Sequence, residues 1–109
     1  MSEPHTHSLA GFLETARRRN SIELEAFRQV VFGDSPAAGL RFDPFSAGAA
    51  TRVLERALEL NPDEAVVLRW FTTEPLKPFG MKTPAEMIVA GKGGAVLDYI
   101  ESIASGSSG

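Results

Sequence analysis

With 109 residues, 43% of them hydrophobic and 23% charged, the chain has the composition of one folded domain with a modest core, not of a disordered segment. Its formal charge of −3 gives no overall attraction to nucleic acid or to an anionic membrane, though it leaves room for a local basic patch. The absence of cysteine excludes disulfides, thiolate zinc sites and a cysteine nucleophile.

Residues 1–7 read as a flexible start. They are polar and lack the charged stretch and apolar run of a leader, and no segment has transmembrane length, so a cytoplasmic location without membrane attachment is expected. Ser8 then caps a helix over 8–19 that carries Leu9, Phe12, Leu13 and Ala16 on one face. Arg17, Arg18 and Arg19 fall in its last turn, where cations complement the exposed carbonyls. Asn20, with Glu23 three residues on, reads as the capping pair of a second helix over 21–32. Its apolar positions are Ile22, Ala26, Phe27, Val30 and Val31, and Gly33-Asp34-Ser35-Pro36 ends it.

After a Gly- and Pro-rich stretch, Ser46 is expected to cap a third helix over 47–60, with Ala50, Val53, Leu54, Ala57 and Leu58 as its stripe. The like-charge pairs Arg52–Arg56 and Glu55–Glu59 should be offset by Arg52–Glu55 and Arg56–Glu59 at three-residue spacing. Asn61-Pro62-Asp63-Glu64 reads as cap, first-position proline and two acids at the positive dipole end of a helix over 62–72. Ala65, Leu68 and Phe71 are expected inward there, with Val67 or Trp70 on the flank. Thr83-Pro84-Ala85-Glu86 is a complete capping box opening a helix over 84–90, and Gly91 stands where a left-handed C-terminal cap belongs. A last helix over 94–104 places Val96, Leu97, Ile100 and Ile103 on one face. Trp70, Phe71, Met87, Leu97 and Ile100 are the expected core of this half, and residues 107–109 read as a flexible tail. No segment alternates like a strand, so the fold class is all-α: an N-terminal helical region over 8–45, then a compact helical unit over 46–106.

Catalytic motifs are sparse. His5 and His7 supply two ligands for one metal and nothing nearby supplies a third, so no metal is expected. Gly91-Lys92-Gly93-Gly94 before a helix has the look of a phosphate turn, but the P-loop spacing and its following Ser or Thr are missing. A helix–helix turn needing positive φ accounts for it more simply. Asp63, Glu64 and Glu86 all sit in first helical turns, where capping explains them. No cofactor and no enzyme activity are expected.

Residues 70–106 carry a denser signal. Trp70-Phe71 ends one helix, and Pro75-Leu76 and Phe79-Gly80 form a short loop. Thr83-Pro84-Ala85-Glu86 starts the next helix, Gly91 turns it, and Val96-Leu97-Asp98-Tyr99-Ile100 lies on the last. In this order and spacing the block resembles the C-terminal domain of the MbcA/ParS/Xre antitoxins. One departure stands out: the family often has a Pro-Asn pair before its Leu-Gly pair, whereas Pro75-Leu76 precedes Phe79-Gly80 here, which removes a side-chain amide from the loop.

The resemblance implies an antitoxin of a type II toxin–antitoxin pair, one that blocks the active-site cleft of a NAD-consuming RES-domain toxin. Pro75, Leu76, Phe79, Lys82, Thr83, Lys92, Gly93 and Tyr99 are the residues expected to meet that toxin, the two lysines facing a cleft made for a dinucleotide. It also implies a homo-oligomer and an N-terminal helix-turn-helix on operator DNA. The alternative function is therefore a DNA-binding autorepressor acting as an oligomer, with Arg17, Arg18, Arg19 and Arg41 as its DNA contacts. The residues argue less for that. The stretch where a recognition helix should lie offers only Arg41 for reading a base. Residues 1–45 set Arg17, Arg18, Arg19, Arg28 and Arg41 against Glu3, Glu14, Glu23, Glu25, Asp34 and Asp43, one acid more than base.

Overall fold

Helix α3, Pro44–Leu60, is the longest element and the one the others lean on. In the computed structural model, which describes residues 9–33 and 41–105, it follows α1 (Leu9–Arg19) and α2 (Leu24–Val31) and precedes α4 (Glu64–Thr73), α5 (Pro84–Val89) and α6 (Gly93–Ala104). The fold is all-α, with no strand among the described residues. His5, His7, the Ser8 cap, the stretch 34–40 and the tail 106–109 lie outside those residues.

One core serves both halves of the chain. Leu9, Leu13, Phe27, Val31, Phe32 and Phe42 from the N-terminal segments meet Val53, Leu54, Phe71, Ile88 and Val96 from the rest. Aromatic rings run through that core: Phe27 lies 5.2 Å from Phe42 within the N-terminal half, and Phe32 lies 6.4 Å from Phe71 across the two halves, centroid to centroid. Apolar positions sit at helical spacing on all the longer helices, and each buries its stripe against α3 or a neighbour of α3.

Several caps stand one to three residues from where the sequence places them. Asn20 does not open α2. It has φ 57 and helps end α1, its amide bonding the Arg17 carbonyl while the Ser21 amide bonds that of Ala16. The cap of α2 is Glu23, whose own carboxylate accepts the Ala26 amide. Likewise α3 is capped by Asp43 with Pro44 in its first turn, and Ser46, expected as the cap, is buried one turn inside. The Ser46 amide donates to Asp43 Oδ1 at 2.7 Å, and this bond is the main reason the carboxyl titrates below its usual range. Asn61 closes α3 instead of opening α4, and its side chain accepts the Asp63 amide; Asp63 is the cap of α4.

The inward face of α4 is also rotated from expectation. Val67 and Phe71 are buried while Ala65 is exposed. Glu64 shares that face, at positions i, i+3 and i+7 with Val67 and Phe71. Its carboxylate accepts the amides of Leu9 and Ala10 at 2.9 and 3.0 Å, so a residue in the first turn of α4 caps the first turn of α1.

Other local signals act where they stand. Thr83 and Glu86 exchange the two hydrogen bonds of a capping box, at 3.1 and 2.9 Å. Gly91, at φ +85, ends α5: its amide bonds Ile88 and the Lys92 amide bonds Met87. Gly93 has a different purpose from Gly91. It begins α6, and a methyl group there would come within 2.9 Å of the Ala49 side chain, so α6 starts with its backbone against α3. Farther along, Arg56 on α3 donates to Glu101 on α6 at 2.6 Å and to Glu59 at 2.7 Å. The guanidinium hydrogen bonds hold the Glu101 carboxyl below its ordinary value. The expected Arg52–Glu55 pair is replaced by Arg17–Glu55 across the α1–α3 seam, at 2.9 Å.

Candidate functional site

The segment joining α4 to α5 is short, rich in proline and glycine, and more ordered than its composition suggests. Glu74 closes α4, and Leu76 then pairs with Lys82 in an isolated antiparallel bridge: the Leu76 amide donates to the Lys82 carbonyl at 3.0 Å. Between them Lys77–Phe79 makes one 3-10 turn, and Gly80 and Met81 both take left-handed backbone, φ 67 and 68. The Met81 amide folds back onto the Leu76 carbonyl at 2.9 Å. Glycine adopts that conformation freely, but a methionine does so only where its surroundings hold it.

Leu76 anchors the segment and is only 2% exposed. It therefore has no surface for a partner, contrary to the expectation from sequence. Gly93 is buried against Ala49 and is likewise withdrawn from any partner. The Thr83 hydroxyl is committed to the capping box. Pro75, Lys82 and Lys92 are exposed. Phe79 and Tyr99 are half-buried, with rings 5.9 Å apart in an edge-on arrangement, so the loop leans on the middle of α6 through two aromatic side chains. Sequence reasoning missed Met81, which is 55% exposed at the tip of the left-handed pair.

A second apolar surface, also not anticipated, lies at the far end of α3. Leu60, Val66, Trp70 and Ile103 border an almost wholly apolar groove of about 190 Å³ floored by Ala57, Val67 and Ile100. Ile103, expected on the inward stripe of α6, is instead 53% exposed, because the stripe outruns the helices available to cover it. Of the expected core, Phe71, Met87 and Ile100 are buried, while Trp70 and Leu97 are partly covered. The off-stripe Leu60 and Val66, each beside a helix terminus, were the readable signal for this groove.

The arginines expected as DNA contacts are all exposed, and two of them are engaged by acids. Arg17 is paired with Glu55 and Arg18 with Glu14, whereas Arg19 and Arg41 are exposed. Among the described residues no helix-turn-helix arrangement is shown. The longest helix after α2 is α3, and its Ala47, Ala50, Val53, Leu54 and Ala57 are buried in the core. Among the described residues no group of three or more His, Asp or Glu side chains stands together as a metal site. No helix among them is long and apolar enough to cross a membrane.

Comparison of the chain with protein-family models, with characterised proteins and with solved structures returned no match.

Proposed function

We propose that this chain is a protein-binding antitoxin: it inserts residues 75–83, backed by Tyr99 on α6, into the active-site cleft of a NAD-consuming RES-domain toxin and blocks it by occupancy. The observation that carries this reading is the self-braced loop. Its backbone is fixed by the Leu76–Lys82 bridge and by buried Leu76, so docking costs little of the ordering entropy that a loose loop would lose. It presents Phe79, Met81 and Lys82, an aromatic, a flexible thioether and a cation, which suit a cleft that holds an aromatic base and phosphates. The specific partner comes from the resemblance of residues 70–106 to the antitoxin family, and a cytoplasmic setting and self-association belong to the same proposal.

The test uses the full chain. Mixed with a purified NAD-consuming RES-domain toxin, the chain should abolish that protein's NAD consumption at stoichiometric ratio. Met81→Asp should weaken inhibition by about tenfold or more while leaving the circular dichroism spectrum unchanged, as expected for a side chain at a desolvated contact. Unimpeded NAD consumption would overturn the proposal. If the chain instead shifted its own promoter DNA, with affinity falling steeply as salt rises, the autorepressor reading would take its place.

A further inference from the structure

The seam between α1 and the first half of α3 holds a concave surface that shares no residue with the loop just described. A cleft of about 540 Å³ opens there, within the size range of small-molecule sites, which is about 300–1,000 Å³. Its apolar lining comes from Leu13, Ala16, Ile22 and Gly48. A methyl group built on Gly48 would meet nothing within 4 Å, so the space above it is open. The polar lining is donor-rich: Arg17, Asn20, Ser21, Thr51 and Arg52, with Glu55 as the single acid.

The charge state of that lining is decided by one pairing. Glu55 stands three residues after Arg52 and would ordinarily neutralise it along the helix. Arg17 takes the carboxylate instead, at 2.9 Å from across the seam. Arg52 is left exposed with no carboxylate within ion-pair distance among the described residues. Its guanidinium has five N–H donors, and among the described residues no acid receives them. Asn20, held at φ 57 by the end of α1, adds a side-chain amide, and Ser21 adds a hydroxyl. A tetrahedral phosphate, with several acceptor oxygens, uses a planar guanidinium together with neutral donors better than a carboxylate does.

We infer that this cleft binds a small phosphate monoester with an apolar organic group, Arg52 receiving the phosphate and the Ala16–Gly48 floor receiving the organic part. The inference is independent of the toxin-blocking proposal.

It is tested by titrating the full chain with phenyl phosphate and following backbone amide resonances. Saturable shifts confined to the end of α1, residues 20–22 and residues 48–52 are expected. Arg52→Gln should weaken binding about tenfold, the scale of a lost charge-assisted hydrogen bond. Arg69→Gln, which removes an exposed arginine of α4 outside the cleft, should titrate as the unaltered chain does. Inorganic phosphate should bind roughly tenfold more weakly than phenyl phosphate, because it forgoes burial of the ring. Shifts that do not saturate, or that spread over exposed lysines and arginines elsewhere, would overturn the inference. So would an Arg52→Gln chain that binds undiminished, or inorganic phosphate binding as tightly as its phenyl ester.

Discussion

Against α6, helix α3 lets a neighbouring backbone approach until a single added methyl would stand 2.9 Å from Ala49; against α1, the same helix leaves clefts of about 540 and 370 Å³. Both flanks of α3 carry a small residue, Ala49 on one and Gly48 on the other. The difference lies in what the neighbours bring. Helix α6 brings Val96 and Ile100, which fill the space, whereas the end of α1 brings Arg17 and Asn20, whose polar groups stay in water. Small residues permit close helix packing, but apolar volume from the partner is what produces it.

The comparison can be tested first by truncation. Ile100→Ala should cost about 2–5 kcal/mol in denaturant unfolding, because a buried site between packed helices cannot collapse onto the hole. Leu13→Ala, at a position that borders the open clefts, should cost near the bottom of that range of about 2–5 kcal/mol, since water can enter beside it. Equal costs would mean that the two flanks are energetically alike.

Glycine replacement sharpens the contrast by reversing its sign. Gly93→Ala should destabilise the chain by about 1–3 kcal/mol, because the new methyl would meet Ala49 on a helix that cannot yield cheaply. Gly48→Ala meets nothing within 4 Å and sits inside α3, so it should stabilise by about 0.5–1 kcal/mol through helix propensity. Both are read as shifts in denaturation midpoint at constant slope.

A smaller effect is expected from acid. Glu101 has its carboxyl depressed first by the hydrogen bonds from Arg56, so the stability it contributes is present above its ordinary value of 4.5 and is lost as pH falls through the lower folded value. Asp43 behaves the same way, through its bond to the Ser46 amide. Glu101→Gln should flatten the acid limb of a stability–pH profile below pH 4.5 by lowering the neutral plateau, and only slightly, because the pair is exposed and screened by salt.

What could be read from sequence were the arrangements decided within one or two helical turns. The all-α class, the Thr83–Glu86 box and the Gly91 cap depend only on neighbouring residues, and the structure has them where the sequence puts them. The misplaced caps share one cause. Asn20, Ser46 and Asn61 each stand within three residues of an acid also able to cap, and the docking of the following helix selects the acid. Gly93 looked like a turn residue because sequence cannot distinguish a glycine needed for positive φ from one needed for close packing. At the candidate site, Phe79, Lys82 and Tyr99 could be named, but the burial of Leu76 and the exposure of Met81 follow from a backbone bridge that no spacing rule announces.

The bond from Glu64 to the start of α1 has a consequence for the order in which the chain is made. Leu9 and Ala10 donate to a carboxylate 55 and 54 residues downstream. On a growing polypeptide α1 emerges before α2, α3 and α4, so the acceptor for these two amides is synthesised only after α2 and α3. An isolated helix of 11 residues is marginal in water, below the roughly 12–15 residues usually required. Helix α1 thus gains this cap only when α4 begins, and until then the Leu9 and Ala10 amides lack it.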